Sequence, residues 1–205
     1  MLKWLFDAVM ERRSARLLAQ IGAWLPDEGR VLDLGSGTGH LAARLERELG
    51  VSVVAADVSD MHVVGPPPVS IADGVLPFED GTFAAALLVF MLAYPDDPAG
   101  LLAEAARVTR GPVVLVQSVH SGRFGYAWLR AREFVWTVIA FHVSRLVGYV
   151  PPDARFSMHT RRFYTSRELG RDVRAAGLRV ASRRERLVLP RRALVVAAWK
   201  LERDD

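Results

Sequence analysis

Residues 30–39 of the chain read RVLDLGSGTG, and this stretch decides the class of fold. Its first five residues form a short, largely apolar run of the kind that makes a buried parallel strand. The three glycines that follow form a turn, which opens a helix predicted over residues 39–49 and closed by Gly50. A second apolar run occupies residues 51–56, so a βαβ unit is predicted at the start of the sheet.

The rest of the chain continues the alternation of apolar, strand-like runs with helical patterns, which is typical of a parallel α/β sheet. Strands are predicted over residues 69–71, 83–90 and 112–116, and helices over 98–108 and 166–176. The last two apolar runs, 178–189 and 193–201, are separated by only three residues. A connection this short joins antiparallel strands, so the sheet is predicted to end in an antiparallel pair.

The glycine-rich turn after the first strand lets the backbone approach a ligand and points free amides at it. Dinucleotide-binding folds use the spacing G-x-G-x-x-G, whose third glycine packs the helix against the strand. Here the glycines are Gly35, Gly37 and Gly39, and His40 follows them. The spacing therefore differs from the dinucleotide fingerprint. The alternative is an ordinary strand-to-helix turn without a ligand.

Asp57 ends the second predicted strand, 18 residues beyond Gly39. A carboxylate at this point can accept two hydrogen bonds from the ribose hydroxyls of a nucleoside. A helix-capping or turn aspartate is the alternative, and it is less expected at this spacing. Val58 follows directly and is predicted to lie under the adenine face.

The glycine spacing after the run Val-Leu-Asp-Leu resembles the first motif of class I S-adenosylmethionine-dependent methyltransferases. Residues 73–83, which read DGVLPFEDGTF, are similar to a segment of the small-molecule branch of that family, which includes ubiquinone and menaquinone methyltransferases. In relatives the acid at the position of Asp73 binds the adenine amino group. The resemblance covers residues 31–111 well and 163–201 more loosely.

The resemblance implies a three-layer, Rossmann-like α/β methyltransferase fold with a mostly parallel seven-stranded sheet and an antiparallel C-terminal strand pair. It also implies S-adenosyl-L-methionine as the cofactor. The residues expected to bind this cofactor are Asp33, Gly35, Ser36, Gly37, Gly39, Asp57, Val58, Asp73, Gly74, Val75 and Phe90. No metal site is expected, because the acidic pairs at 79–80 and 96–97 have no histidine at ligand spacing.

Methyl transfer from a sulfonium requires mainly an aligned nucleophile and the exclusion of water, because the sulfonium is already a strong electrophile. A base helps if the acceptor is a phenol, an enol or a carbon acid. The candidates are Tyr94, His120 and His142, followed by His159 and Tyr164. A structural role in the core or at an interface is the alternative for each. Many relatives carry histidines after the fourth strand, where this chain has Ala93 and Tyr94.

A single domain is predicted over residues 1–205, with residues 1–28 as a helical lid and residues 119–156 as an apolar helical insertion that caps the acceptor. The apolar segment 134–144 is far shorter than the roughly 20 residues that span a bilayer. Its aromatic residues suit an apolar pocket or a peripheral membrane contact. A helix packed on the core or in a homodimer interface is the alternative.

The absence of cysteine and the small net charge exclude or disfavour several classes of function. No cysteine is present, which excludes disulfides and thiolate chemistry and, together with the lack of an export signal, favours the cytoplasm. The net charge is +4, and arginines at 161–162, 183–184, 186 and 191–192 are interpreted as solvated strand ends rather than a nucleic-acid track. The predicted activity is methylation of a small hydrophobic metabolite at oxygen or carbon. An RNA methyltransferase and a non-catalytic partner subunit are the alternatives.

Overall fold

The strands of the chain form one sheet in the computed structural model, which describes residues 2–71, 74–151, 160–189 and 193–204. The strands are β1 (Arg30–Leu34), β2 (Ser52–Asp57), β3 (Val69–Ser70), β4 (Ala85–Val89), β5 (Val113–His120), β6 (Leu178–Leu189) and β7 (Leu194–Arg203). Their order is β3-β2-β1-β4-β5-β7-β6, and only β7 runs against the others. The predicted mostly parallel, seven-stranded sheet with an antiparallel C-terminal pair is therefore confirmed.

Within these described ranges, six α-helices accompany the sheet: α1 (Leu2–Ile21), α2 (His40–Leu49), α3 (Pro98–Arg107), α4 (Gly122–Phe134), α5 (Phe141–Leu146) and α6 (Ser166–Ala175). A π-helical turn, Val135–Ala140, joins α4 to α5. Helix α6 starts with a capping box, in which the Thr165 side chain accepts from the Glu168 amide and the Glu168 carboxylate accepts from the Thr165 amide. Such reciprocal bonds satisfy two backbone donors that a helix start leaves unpaired.

Two apolar clusters, one on each face of the sheet, give the fold its three layers. Leucines of α1 and α2, such as Leu17 and Leu45, pack on one face against Val31 and Val196. Helices α3 and α6 cover the opposite face. Strands β4 and β5 are buried on both faces, which explains the unbroken apolar sequence of β4 and of the first four residues of β5.

The order of the strands determines where a ligand site can form. Strand β1 pairs with β2 on one side and with β4 on the other, so the chain changes direction across the sheet at this point. Open α/β sheets bind ligands outside the carboxyl ends of the strands at such a switch point. The residues that follow β1, β2 and β4 therefore meet at one edge.

Candidate active site

A cavity of about 480 Å³ lies at this edge of the sheet. One end is lined by the residues that close β1 and β2, among them Asp33, Gly37 and Asp57. From there the cavity follows one face of α1, where Phe6, Met10 and further residues at helical spacing line it. Helix α4, the π-helical turn and β6 complete the other end. The fold thus joins the predicted cofactor residues and the two predicted lid segments around one space.

The glycine loop is held by the carboxylate of Asp57. The Gly37 amide donates to Asp57 Oδ2 at 2.9 Å, and the Ser59 amide lies 3.3 Å from Oδ1. Asp57 is almost fully buried, and burial raises its pKa although the amides of Gly37, Ser59 and Val58 oppose the rise. Asp57 therefore orders the loop at the same place where it is expected to meet a ribose.

Asp33 supplies a second buried carboxyl group at the same end of the cavity. It is 1% exposed, and its Oδ2 has no hydrogen-bond partner among the described residues. Burial, and then the neighbouring Asp57 carboxylate, raise the Asp33 pKa to about 7. A buried acceptor without a partner is costly, so a donor or cation from a ligand would stabilise it. This feature fits a cofactor that carries an ammonium and a sulfonium group.

The glycines of the loop serve different purposes. Gly37 has a φ of 56°, and a Cβ there would have no atom within 4 Å, so this position faces open space in the cavity. At Gly39, which has a φ of 80°, a Cβ would lie 2.1 Å from the Val64 carbonyl oxygen. Gly39 thus allows residues 62–64 to pack on the loop, and it does not line the cavity.

His62 and Val63 attach the loop after β2 to the glycine loop. The Val63 amide donates to the Thr38 carbonyl at 3.1 Å, and His62 Nε2 lies 2.8 Å from Ser36 Oγ. His62 Nδ1 lies 2.6 Å from the Pro66 carbonyl, which can only accept, so Nδ1 donates there and Nε2 accepts from Ser36. Ser36, predicted to bind the cofactor, lines the cavity and is oriented by this histidine.

His40 connects the glycine loop with both predicted lid segments. Its Nδ1 lies 3.0 Å from Thr38 Oγ1, and its Nε2 lies 3.0 Å from Asp7 Oδ1 and 3.3 Å from the Tyr149 hydroxyl. Tyr149 also stacks on Phe6 with ring centroids 5.4 Å apart. The start of α1 and the chain after α5 are therefore tied directly to the turn that begins α2.

Phe90 is the non-glycine residue with a left-handed backbone in the described parts of the chain, with a φ of 58°. Such a conformation costs roughly 1–2 kcal/mol for a residue with a Cβ. The Phe90 amide donates to the Val116 carbonyl at 2.7 Å, and the Arg13 guanidinium lies 4.8 Å from the ring centroid. These contacts hold the ring at the cavity wall, where it was expected on the sequence.

Gly39 and three further cofactor residues predicted from the sequence do not line the cavity. Val58 and Val75 are exposed, and neither they nor Gly74 lines the cavity. Asp73 lies outside the described residues. Their binding role therefore stays a prediction, whereas Asp33, Gly35, Ser36, Gly37, Asp57 and Phe90 are brought together at the cavity.

Only one of the three main catalytic candidates lines the cavity. Tyr94 does so, whereas His120 lies at the end of β5 against the Phe163 carbonyl, and His142 is exposed on α5. Tyr164 is 2% exposed and donates to the Asp172 carboxylate at 2.9 Å, as a structural residue does. His159 lies outside the described residues.

Burial and the nearby Glu133 carboxylate raise the pKa of Tyr94 to about 12. Glu133 lines the cavity as well, and no sequence pattern singles it out, since it is one acid in a helical run. Arg186, interpreted as a solvated strand end, is exposed near the end of β6, and it also lines the cavity close to Arg16 of α1 and Arg132 of α4.

Two further observations concern ligands and membranes. Among the described residues, no group of three or more His, Asp or Glu side chains is arranged to hold a metal ion. In the same parts of the chain, no helix combines the length and apolar character that crossing a bilayer requires.

Comparison with known proteins yields one family and several relatives. The sequence model described as a methyltransferase domain matches residues 6–183. A demethylmenaquinone methyltransferase of Tropheryma whipplei (strain Twist) is 32% identical over 60% of this chain and 54% of the relative. The chain thus spans about half the length of this curated relative.

Solved structures share the fold at low sequence identity. The 1,6-didemethyltoxoflavin-N1-methyltransferase of Burkholderia thailandensis, with bound S-adenosylhomocysteine, has a TM-score of 0.56 and 22% identity, covering 98% of this chain and 81% of its own. The geranyl diphosphate C-methyltransferase of Streptomyces coelicolor A3(2) has a TM-score of 0.61 and 12% identity, covering 94% and 80%. At these identities the likeness shows the fold alone.

Proposed function

The chain belongs to the methyltransferase-domain family, and from this premise we propose that it transfers the methyl group of S-adenosylmethionine to an oxygen or carbon atom of a small hydrophobic metabolite. The observation that carries the proposal is the single cavity that joins two chemically different ends. Asp33, Gly37 and Asp57 line the first end, and apolar side chains such as Leu17 and Trp136 contribute to the second.

The residues at the first end fit the cofactor. Asp57 is placed to accept from ribose hydroxyls, the open face of Gly37 allows close approach of the backbone, and the unpartnered Asp33 oxygen accepts from a cationic group. When bound, S-adenosylmethionine supplies an activated methyl group. The chain itself must hold the acceptor in line and exclude water.

The segments around the second end are suited to that task. Trp136 and Phe141 come from the insertion, and Phe6 and Met10 come from α1. Both segments contact His40, which follows the glycine loop, through Asp7 of α1 and Tyr149 after α5. An apolar wall of this kind binds a ring or a chain of similar character and displaces water from it. The described parts of the two predicted lid segments, residues 2–28 and 119–151, therefore act together as the cap over the acceptor.

Tyr94 is the residue that orients a polar atom of the acceptor. A phenol with a pKa of about 12 keeps its proton at neutral pH, so Tyr94 is a hydrogen-bond donor rather than a base. A donor aimed at an acceptor oxygen positions that atom and leaves a lone pair for the methyl group. His120 and His142 remain candidates without a place at the cavity.

The relatives support a small acceptor. The curated relative is named for demethylmenaquinone, and the solved structures are named for a toxoflavin precursor and for geranyl diphosphate. The RNA alternative lacks a specific supporting observation. A non-catalytic partner subunit would be expected to have lost residues that bind the cofactor. In this chain Gly35, Gly37, Asp33 and Asp57 all lie at the cavity wall.

The outer surface of the cap is proposed to contact a membrane peripherally or to form a homodimer interface. Large apolar side chains are exposed on α1 and along α4 and α5, namely Trp4, Leu5, Phe124, Trp128, Phe134 and Leu146. Exposed apolar patches of this kind mark contacts with lipid or protein. Vesicle flotation and light scattering distinguish the two partners.

Calorimetry with S-adenosylmethionine and S-adenosylhomocysteine tests the proposal. We expect each to bind in one-to-one ratio with a dissociation constant below the millimolar range. Absence of binding at millimolar ligand would favour the non-catalytic subunit. Turnover on a structured RNA, with none on quinols or phenols, would favour the RNA methyltransferase.

A further inference from the structure

Four arginines converge on the end of the cavity that is remote from the glycine loop. Arg13 and Arg16 come from α1, Arg132 from α4 and Arg186 from β6, and all four line the cavity. These elements are far apart in the sequence. Only the packing of α1 against the sheet and of α4 beside it brings the guanidinium groups together.

The four charges repel one another. Arg132 lowers the pKa of Arg13, and Arg16 and Arg132 lower that of Arg186, in each case after the larger effect of burial. Arg132 is 3.2 Å from the Glu133 carboxylate, which offsets one positive charge. Arg13, Arg16 and Arg186 form no ion pair with a carboxylate in the part of the chain that the structure describes. The local charge is therefore about +3.

Arginines gathered on one cavity wall suit an anion, because guanidinium forks bind carboxylate and phosphate oxygens in pairs and stay charged at all accessible pH values. A core role does not account for them, since the side chains of Arg13, Arg16 and Arg186 line the cavity and belong to neither apolar cluster.

We infer that the methyl acceptor is amphipathic, with an apolar body between Phe90 and the cap and a carboxylate or phosphate group held by Arg13, Arg16, Arg132 and Arg186. This inference rests on the proposed methyl transfer and specifies its substrate class. The anionic group binds at the arginine end, which places the rest of the acceptor towards the glycine loop. The arginines thus select the acceptor and orient it.

The cavity geometry also favours a small anion over a nucleic acid. The arginines line a cavity of about 480 Å³ that is also lined by Leu17, Val196 and other apolar residues, rather than forming a track along the surface. Continuous backbone binding to nucleic acid requires a groove that follows several phosphates. The site therefore suits one anionic group attached to an apolar chain or ring.

Isothermal calorimetry with matched probes tests the inference. Decyl phosphate, decanoate and 1-decanol are each titrated into the protein below their micelle-forming concentrations. The titrations are made with and without saturating S-adenosylhomocysteine. We expect at least one of the two anions to bind about tenfold or more tightly than the alcohol, because a charge-assisted hydrogen bond contributes about that much. Added salt should weaken binding of the anion and leave binding of the alcohol unchanged.

Three variants assign the effect to the cavity. R16Q/R186Q should lose about tenfold or more in affinity for the preferred anion, and E133Q should gain affinity because one negative charge is removed. R12Q is the matched control, since Arg12 neighbours Arg13 on α1 and does not line the cavity. S-adenosylhomocysteine affinity should stay within twofold in R16Q/R186Q and R12Q.

Equal affinity for alcohol and anions, or equal losses in R12Q and R16Q/R186Q, would overturn the inference while leaving the proposed methyl transfer intact. Loss of folding in R16Q/R186Q, detected by circular dichroism, leaves E133Q to decide, and unchanged anion affinity there would count against the arginine site. Failure of S-adenosylhomocysteine to bind would refute the proposed function, and the titration of the free chain would still decide the anion site. Arginine-dependent binding of a single-stranded RNA without binding of either small anion would also overturn the inference.

Discussion

The Gly37 amide donates to Oδ2 of Asp57 at 2.9 Å, so the residue expected to bind the ribose also holds the glycine loop in place. We therefore expect Asp57→Ala to weaken S-adenosylhomocysteine binding by about 1.5–3 kcal/mol, the range for hydrogen bonds to a charged group. Calorimetry measures the loss. Asp60→Ala is the control, because Asp60 accepts from the His62 amide on the same loop and does not line the cavity. Unchanged affinity in folded Asp57→Ala would remove this residue from the cofactor site.

Gly37 faces open space with a left-handed backbone, and Gly50 has the same two properties at the end of α2. Alanine costs roughly 1–2 kcal/mol of folding stability at either position, because a Cβ disfavours positive φ. We expect Gly37→Ala also to lose most of its cofactor affinity and Gly50→Ala to keep it. Thermal unfolding and calorimetry separate the two effects. Equal cofactor affinity in both variants would contradict the placement of Gly37.

The raised pKa of Asp33 makes stability depend on pH. The folded-state pKa is about 7 and the ordinary value is 3.8, so between these pH values the folded chain holds a proton that the unfolded chain has lost. The contribution of Asp33 to stability therefore falls as pH rises from about 4 to 7 and then levels off. We expect Asp33→Asn to abolish this slope and to stabilise the free chain at pH 8 by about 2–4 kcal/mol.

Urea unfolding of wild type and Asp33→Asn at pH 5 and pH 8 measures the difference. Asp60→Asn, at an exposed site, should have the same stability as the wild type at both pH values. A slope of the same size in Asp33→Asn would show that Asp33 is ionised in the free chain.

The cap residues Trp136 and Phe141 line the cavity, whereas Trp128 is 49% exposed on α4 and does not. We expect Trp136→Ala and Phe141→Ala to raise the KM for the acceptor about tenfold or more, since each removes a large apolar contact. Cofactor affinity should be unchanged, and Trp128→Ala should behave as wild type. Steady-state kinetics measures the KM for the acceptor, and calorimetry measures the cofactor affinity. Loss of dimerisation without an effect on the acceptor would assign these side chains to an interface.

Tyr94 is held protonated by burial and by Glu133, so its removal deletes a donor rather than a base. We expect Tyr94→Phe to lower kcat about tenfold, the order of one hydrogen bond, and to leave the pH profile between 6 and 9 unchanged in shape. Tyr126→Phe is the control, because Tyr126 packs on His120 and Phe163 away from the cavity. A basic limb of the pH profile that vanishes in Tyr94→Phe would show that Tyr94 acts as a base.

Local sequence was enough to predict the central part of the fold. The run before Gly35 has the apolar character of a doubly buried strand, the glycine spacing limits the turn that follows, and Asp57 stands at the next strand end. These features depend on neighbouring residues and on strand order alone. The βαβ start of a parallel sheet, its antiparallel C-terminal pair and the position of the glycine loop could therefore be predicted from these residues, whereas the seven-stranded topology and the cofactor residues were implied by the family resemblance.

Only the tertiary structure decided which side chains share the cavity. Arg16 and Arg186 come together because α1 packs on the face of the sheet that β6 borders, and His40 meets Asp7 and Tyr149 across three separate segments. The spacing of apolar residues predicts which side of a helix or strand is buried. It does not predict whether an arginine at the edge of that side is solvated or lies beside other arginines. The difference arises from the distance between elements remote along the chain, which packing alone sets.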